Sequence, residues 1–273
     1  MNYTTEQASL ILQAMDTCMR EDIDPAYKLK KIWWTLLLTR SEALTNGLRP
    51  LTGDKVYSGP FKDMLLTNDA IQSSGCRSSI LLGCYEQELH TLFEKIIATN
   101  YTRVLNIGCS VGYYAVGLAR RMPHTMIEAF DIDPNARRKC TELAKINGVS
   151  DRINVSGKFS GDDFAKYTEG RTLVLMDIEG AETQLLDPVR YPALQKMDVV
   201  VELHDILNPV ISKEVSTRFI PTHHVEIIKN QNFLPDLGTL LPQTYHLDPF
   251  DHLLLGWEAR DGATPWGVFS SKE

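Results

Sequence analysis

The stretch VLNIGCSVGYYAVG, residues 104 to 117, decides the fold class of this 273-residue chain. It begins in a short apolar run, residues 103 to 107, that is typical of a buried strand. Gly108 and Gly112 follow, and a helical pattern starts at Tyr113. Glycines between a strand and a helix let the backbone approach a ligand closely, and the helix N-terminus offers free N–H groups. The stretch predicts a strand-loop-helix unit that holds a small ligand, with a ligand-free tight turn as the alternative.

Alternating strands and helices continue from this unit towards the C-terminus. Further strands are predicted over residues 126–131, 152–156, 172–177, 198–204, 224–228 and 266–270, with helices over 113–121 and 134–147. Such alternation predicts an α/β fold with a doubly wound, mainly parallel, seven-stranded sheet. The last two strands would close its edge, with an insertion at about residues 231 to 262 between them.

The N-terminal part has a different pattern. Helical spacing runs over residues 5 to 46, with a break at Pro25 and an end at Asn46-Gly47. Residues 47 to 79 are rich in turn-forming residues and predict an irregular connection, and residues 80 to 99 predict one helix. We therefore expect an N-terminal helical extension or cap over residues 1 to 79, and a ligand-binding domain over residues 80 to 273.

Composition restricts the class of protein. The formal charge is −7, and hydrophobic residues make up 43%, which excludes a disordered or collagen-like chain. The acidic balance argues against nucleic acid as the main partner. The longest apolar run, residues 32 to 38, is too short for a membrane span. Five scattered cysteines and the lack of a secretory pattern predict reduced thiols in a cytoplasmic protein.

An aspartate ends the second predicted strand, at the position where nucleosides are held. Asp131 lies 23 residues after Gly108, and a carboxylate there can accept hydrogen bonds from both ribose hydroxyls. A solvated turn aspartate is the alternative, and Asp133 is the less favoured candidate. The dinucleotide pattern G-x-G-x-x-G does not fit, because Ser110 takes the second glycine position. This argues against a nicotinamide-dependent oxidoreductase.

Three stretches together resemble a known family. Residues 104 to 117 and the stretch FDIDP, residues 130 to 134, resemble the first two motifs of class I S-adenosylmethionine (SAM) methyltransferases, which have a Rossmann-like fold. The stretch MDIEGAE, residues 176 to 182, resembles the D-x-E-G-x-E stretch of the FkbM-like methyltransferases. The resemblance covers roughly residues 80 to 230 and implies SAM as cofactor. Two positions depart from the family pattern: Asn106 replaces an acidic residue and Ser110 replaces a glycine.

The resemblance implies which residues hold SAM. The residues expected to line its methionine part are Asn106, Gly108, Cys109, Ser110 and Gly112.

Ribose and adenine contacts are implied for the later loops. Asp131 would hold the ribose and Ile132 would pack on the adenine. Asp162 or Asp163 would meet the adenine amino group, with an acidic surface loop as the alternative. Glu86, upstream of the first motif, would reach the SAM amino group, unless it lies on a solvated helix face.

A second cluster of polar residues follows strands four and five. Asp177 ends strand four, and Glu202 and His204 lie two residues apart on strand five, so their side chains share a face. Ligands of parallel sheets bind beyond the carboxyl ends of the strands. Two catalytic hypotheses follow: His204 is a general base, or Asp177, Glu202 and His204 hold Mg²⁺ or Mn²⁺. Mutual hydrogen bonding without catalysis is the alternative to both.

Several neighbouring residues have weaker claims. Asp205, His223 or His224 would complete a metal site. Glu179 is either an active-site carboxylate or, like Glu182, a charge that stabilises a helix N-terminus.

The late insertion is in the right place for a substrate-covering lid, and Arg260 within it could contact an anionic or sugar substrate.

The sequence therefore predicts a SAM-dependent methyltransferase. Its expected reaction is O-methylation of a small molecule, a sugar or a secondary metabolite. N- or C-methylation and a non-catalytic SAM-binding protein are the alternatives. The N-terminal helices are expected to pack a homodimer, and neither nucleic acid nor a membrane is an expected partner.

Overall fold

The computed structural model describes residues 5–72, 76–231, 241, 247–260, 262 and 264–273. Seven strands form one sheet in the order β3-β2-β1-β4-β5-β7-β6. Their bounds are β1 (Arg103–Ile107), β2 (Met126–Phe130), β3 (Ile153–Ser156), β4 (Thr172–Met176), β5 (Asp198–Glu202), β6 (His223–Ile228) and β7 (Trp266–Ser271). Among the described strands, β7 runs antiparallel to both of its neighbours, β5 and β6, and the other neighbouring strands are parallel. The predicted fold class is confirmed: an α/β, mainly parallel, seven-stranded Rossmann-like sheet.

Helices cover both faces of the sheet. Among the described residues they are α1 (Thr5–Arg20), α2 (Pro25–Thr52), α3 (Asn68–Gln72), α4 (Arg77–Leu82), α5 (His90–Ala98), α6 (Tyr113–Arg121), α7 (Pro134–Ile146), α8 (Glu182–Leu185), α9 (Ile211–Phe219) and α10 (Pro249–Leu255). The central strands β4 and β5 are buried along their whole length, as strands covered on two faces must be. No helix among these is long and apolar enough to cross a membrane.

The predicted end of the second N-terminal helix is wrong. α2 continues through Asn46 and Gly47, and it ends only before Gly53, which has the left-handed φ of 65° that favours glycine. Leu44 and Leu48, on either side of that pair, are fully buried. Their packing outweighs the weak helix preference of the pair.

The predicted single helix over residues 80 to 99 is also wrong. α4 ends at Leu82 because Gly83 takes a φ of 75°. A Cβ atom at Gly83 would lie 2.1 Å from the carbonyl oxygen of Ser58, so the turn needs glycine. The chain then passes through Glu86, with a φ of 48°, before α5 begins at His90.

Residues 47 to 79 are more ordered than predicted, because they supply core side chains. Phe61 is 2% exposed, and it packs on Phe93 and Tyr113 with ring centroids 5.5 and 5.3 Å apart. Its ring lies where a Cβ atom of Gly117 would be, so Gly117 on α6 makes room for it. The predicted boundary at residue 79 stays a prediction, but this segment packs against the core of the sheet domain.

We predict that Phe61→Ala lowers the free energy of unfolding by about 3–5 kcal/mol, because it removes a fully buried ring and leaves a cavity. Urea denaturation measures the change. Leu65→Ala, at a position that is 37% exposed, is the control and should cost much less. Equal losses in the two variants would contradict the integrated packing of this segment.

Candidate active site

Three polar side chains meet beyond the carboxyl ends of β4 and β5, as the sequence predicts. The two strands are parallel neighbours, so their ends lie side by side. Asp177 follows β4, and its N–H donates to the carbonyl of Ile107 over 3.0 Å. Glu202 ends β5, and His204 lies two residues further on. The sheet thus brings Asp177, Glu202 and His204 together.

A narrow cleft of about 370 Å³ opens beside the end of β1. The residues that line it are Ile107, Gly108, Phe130, Asp131, Ile132, Gly157, Lys158, Phe159, Asp177, Ile178, Glu179, Ala181, Gln184 and Leu185. Gly108 has a φ of 81°, and a Cβ atom there would lie 1.6 Å from the carbonyl oxygen of Asp177. Only glycine fits between the two loops, so the backbone itself forms this wall of the cleft. We call this cavity the β1 cleft.

Asp131 lies on the β1 cleft and is already oriented by the backbone. Its two carboxylate oxygens accept from the N–H groups of Ser110 and Asp133, over 2.8 and 2.9 Å. A carboxylate offers about four acceptor positions, so two remain for hydroxyl donors. Ile132 next to it is 78% exposed, an apolar side chain without protein cover. The edge of the β1 cleft therefore offers free acceptor positions beside an exposed apolar side chain.

Other predicted cofactor residues lie outside the lining of the β1 cleft. Asn106 is buried and its amide donates to the carbonyl of Leu175 over 3.4 Å. Cys109 is buried, and Gly112 packs against Cys140. Ser110 contributes its N–H to Asp131. These residues shape the loop from behind, and their predicted contacts with SAM stay predictions.

Asp162 and Asp163 differ in what they do. Asp162 is exposed and is not among the residues that line the β1 cleft. Asp163 accepts from the N–H of Ser160 over 2.8 Å and from Lys166 over 2.5 Å, so it caps its own short helical turn. The adenine contact of Asp162 stays a prediction.

His204 is surrounded by four carboxylates. Its Nδ1 lies 2.7 Å from Oε1 of Glu182. Its Nε2 lies 3.3 Å from Glu179, 3.6 Å from Asp177 and 3.7 Å from Glu202. The ring is nearly buried, with 4% of the side chain exposed. Glu182 fixes the orientation of the ring, and Nε2 points towards the other three acids.

Glu182 is a site residue that the sequence did not distinguish from a helix-stabilising charge. It is fully buried, and its Oε1 also accepts from the N–H of Gly180 over 3.0 Å. The tight turn before it needs positive φ angles at Glu179 and Gly180, 54° and 100°. That turn directs Glu179 outwards and Glu182 inwards. In the sequence, the only indication of this difference is the glycine between the two glutamates, which permits a tight turn.

The carboxylates of Glu179, Glu182 and Glu202 change the protonation of His204. Burial by itself opposes a charged ring, but hydrogen bonds to Glu179 and Glu182 and the charge of Glu202 outweigh it. Together they raise the pKa of His204 from 6.5 to about 10. Burial and the charge of Glu202 also raise the pKa of Asp177 well above its usual value. At neutral pH, His204 is therefore an imidazolium in the absence of a metal ion.

Arg260 and Glu86 form a second buried cluster beside Glu202. The Arg260 guanidinium contacts Oε1 of Glu86 over 2.6 Å, Oε2 of Glu258 over 2.9 Å, and Oε1 of Glu202. Glu86 is 1% exposed and also accepts from the Tyr114 hydroxyl. The structure thus engages Glu86 and Arg260 with protein groups rather than leaving them free for a cofactor or an anionic substrate.

A larger cavity of about 560 Å³ lies on the other side of Asp177. The residues that line it are Lys30, Cys76, Tyr85, Asp177, Glu179, Glu202, His204, Ile206, Leu207, Glu258, Ala259, Arg260, Gly262 and Thr264. We call it the acidic pocket. Asp177 and Glu179 line both the β1 cleft and the acidic pocket. The two cavities therefore meet at these carboxylates, with His204 beside them.

The weaker candidates have structural partners. Asp205 accepts from the N–H of Ser212 over 2.9 Å, at the start of α9. His223 is buried between the hydroxyl of Thr222 and the carbonyl of Met197, at the opposite end of β5. His224 follows it on β6 and is exposed. Neither histidine is among the residues that line the acidic pocket. Of the predicted lid, residues 232–240, 242–246 and 261 lie outside the described residues.

Comparison with known proteins gives weak likenesses only. No protein-family model matches the chain. A Schizosaccharomyces pombe protein described as "Uncharacterized protein UNK4.09" is 34% identical over 89 residues, which are 32% of this chain. The chain spans about a quarter, 26%, of the length of that relative.

Solved structures that align with this chain include methyltransferases. The O-methyltransferase TomG from Streptomyces achromogenes, in complex with SAM, is 12% identical, with 86% of this chain and 90% of that chain covered and a TM-score of 0.45. The Bacillus cereus O-methyltransferase in complex with SAH is 10% identical, with 86% and 91% covered and a TM-score of 0.45. At such low similarity these likenesses carry no argument about activity.

We predict that the metal-free protein keeps His204 protonated up to a pH near 10, because the carboxylates raise its pKa to about that value. The charged ring therefore contributes to stability below pH 6.5, and this contribution is lost as the pH rises through the folded pKa. NMR titration of the imidazole resonances in the presence of EDTA measures it. His223 is the internal comparison, since burial lowers its pKa. A midpoint for His204 at or below 6.5 would contradict the carboxylate cage.

Proposed function

We propose that this chain is a SAM-dependent methyltransferase, related to the FkbM-like group, which methylates a hydroxyl oxygen of a small molecule. The single observation that carries the proposal is the meeting of two cavities at Asp177 and Glu179. A methyl transfer needs donor and acceptor in separate sites that share one wall, so that the nucleophile is aligned with the methyl carbon. SAM, when bound, supplies an electrophilic methyl group and its own leaving group.

The β1 cleft fits SAM in the chemistry of its walls. Asp131 would hold the ribose hydroxyls, since its carboxylate is fixed by two N–H donors and keeps free acceptor positions. Ile132 and Phe130 would cover the adenine with apolar surface. Gly108 would allow the backbone to approach the methionine part closely. The excluded dinucleotide pattern supports a single nucleoside over NAD in this cleft.

The acidic residues favour metal assistance over general-base catalysis. A general base must be unprotonated, and the carboxylates of Glu179, Glu182 and Glu202 hold a proton on His204, whereas a divalent cation can displace that proton. Ligand atoms of Asp177, Glu179 and His204 lie within 4.8 Å of one another, and an O, O, N set suits Mg²⁺ or Mn²⁺. Glu182 would support that site from behind, as carboxylates on metal-binding histidines do. The bound ion would lower the pKa of the acceptor hydroxyl.

The metal set proposed here differs in one member from the set that the sequence suggests. Glu202 has one oxygen paired with Arg260, whereas Glu179 is 80% exposed and lies closer to Nε2 of His204. We therefore propose Asp177, Glu179 and His204 as ligands, and assign Glu202 to the charge balance around them.

Two alternatives to O-methylation can each be tested. An amine or carbon acceptor in the acidic pocket would give N- or C-methylation, which the structure of the methylated product would reveal. A non-catalytic SAM-binding protein would bind SAM but show no turnover that depends on His204. Pairing of two copies through α1 and α2, and a cytoplasmic location, remain parts of the proposal that rest on sequence.

We predict that the protein binds S-adenosylhomocysteine, the reaction product, and that Asp131→Asn weakens binding about 10- to 100-fold, the effect of losing hydrogen bonds to a charged group. Isothermal titration calorimetry measures the affinity. Asp133→Asn is the matched control, because Asp133 caps α7 from outside the β1 cleft and asparagine is an equally good cap. NAD is the control ligand. If the protein does not bind S-adenosylhomocysteine, the methyltransferase proposal is overturned.

We predict that Mn²⁺ binds the protein with S-adenosylhomocysteine present, and that Asp177→Asn and Glu179→Gln each weaken it at least about 10-fold, because each removes a ligand. Glu182→Gln should weaken it about 10- to 100-fold through His204. Glu202→Gln is the comparison and should have the smallest effect. Electron paramagnetic resonance measures free Mn²⁺. If the wild-type protein does not bind Mn²⁺, the metal-assisted mechanism is overturned.

A further inference from the structure

The charge of the acidic pocket bears on the class of acceptor. Arg260 is the one arginine among the described residues that line the pocket, so it is the obvious partner for a carboxylate or phosphate group of an acceptor. Its side chain is 19% exposed. Whether Arg260 can bind an anionic acceptor depends on which protein groups its nitrogens already contact.

Every nitrogen of the Arg260 guanidinium already has a protein oxygen. Nη2 contacts Glu86 over 2.6 Å, Nε contacts Glu258 over 2.9 Å, and Nη1 contacts both Glu202 and Thr264. The planar guanidinium group of Arg260 thus already pairs with three carboxylates, which come from three separate segments of the chain. An anionic acceptor would have to displace one of them and leave a buried carboxylate unpaired, which is costly.

The carboxylates of the pocket and of its immediate support outnumber the basic groups. Six acids belong to this set, and they are Glu86, Asp177, Glu179, Glu182, Glu202 and Glu258. Against them stand the basic side chains of Lys30 and Arg260 and the His204 ring. The pocket therefore brings together more acidic side chains than basic ones.

One pocket atom is an acceptor with no donor. Oδ1 of Asp177 is buried and has no hydrogen-bond partner, although Asp177 lines the pocket. A buried carboxylate oxygen without a partner costs free energy until a donor or a cation reaches it. Beside the acids, Tyr85, Ile206 and Leu207 supply apolar wall for a carbon skeleton. The cavity therefore combines an apolar wall with an unmatched acidic end.

We propose that the acceptor is a hydroxylated amine: the acidic pocket binds molecules that carry a hydroxyl and a positively charged amino group, and it excludes hydroxy acids and phosphate esters. The ammonium group supplies the missing positive charge, while the hydroxyl faces Asp177 and Glu179, where the two cavities meet. This inference rests on the proposed function for the role of the hydroxyl. It assigns Arg260 to pairing with the buried carboxylates instead of to an anionic substrate.

Three probes of equal size test the charge preference. Tyramine, tyrosol and para-hydroxyphenylacetate share a phenol and differ in an end group that is positive, neutral or negative at pH 7. Saturation-transfer NMR with competition measures their affinities for the full chain saturated with S-adenosylhomocysteine, or for the chain alone if that ligand does not bind. We expect tyramine to bind at least about 10-fold more tightly than the acid, with a preference that falls as salt rises.

A matched pair of variants locates the preference in the pocket. Glu258→Gln removes one carboxylate from the lining without changing its shape, and should reduce the ratio of tyramine to acid affinity about 3-fold or more. Glu226→Gln removes the same charge from the exposed face of β6, outside the pocket, and should leave the ratio unchanged. Thermal unfolding checks that both variants fold.

The outcomes separate this inference from the proposed function. Binding of S-adenosylhomocysteine together with equal or tighter binding of the acid, or with no binding of tyramine, overturns the amine acceptor and leaves the methyltransferase standing. A protein that binds no S-adenosylhomocysteine but prefers tyramine, with the loss of preference confined to Glu258→Gln, supports the charge selectivity of the pocket and overturns the methyltransferase.

Discussion

The hydrogen bond between Glu182 and His204 is the contact on which the rest of the candidate site depends. Glu182 has no exposed surface, so its carboxylate is held by the ring at 2.7 Å and by the N–H of Gly180 at 3.0 Å. Because Nδ1 is occupied, only Nε2 can face the cavities. The carboxylates of Asp177, Glu179 and Glu202 gather around that one atom. Without this bond, the two cavities would meet at acids with no fixed cation between them.

The buried carboxylates of the site need positively charged side chains that are held in fixed positions beside them. Arg260 performs this task for Glu86, Glu202 and Glu258, because its planar fork can contact several carboxylates at once. His204 lies beside the remaining carboxylates, those of Asp177, Glu179 and Glu182. The two basic groups share Glu202, which lies between them. The site is therefore one connected charge network rather than a catalytic cluster and a separate structural one.

Tight turns deliver these groups to the ends of the strands. Gly108 must be glycine because the loop after β4 lies against it, with the Asp177 carbonyl where a Cβ atom would be. Glu86, Ser110, Glu179 and Ala259 all take positive φ angles without being glycine. Such conformations cost free energy and persist where surrounding contacts enforce them. The conformations concentrate around the two cavities, where side chains from distant segments must converge.

The sequence by itself determined the sheet and the three polar groups at its carboxyl edge. The buried parallel strands β4 and β5 are continuous apolar runs that short-range pattern can place, and Asp177, Glu202 and His204 followed from where these two runs end. The helix ends were less predictable, because buried side chains such as Leu48 hold α2 together past Asn46-Gly47.

Only the tertiary structure decided which acids surround His204 and which cation each acid receives. Glu86 and Arg260 are far apart in sequence, and no local pattern tells that they form an ion pair at 2.6 Å. Glu182 and Glu179 look alike in sequence, yet one is fully buried and the other is 80% exposed. The physical reason is that periodicity reports which face of an element is apolar. Charge pairing is set by contacts between elements, which the folded chain alone brings together.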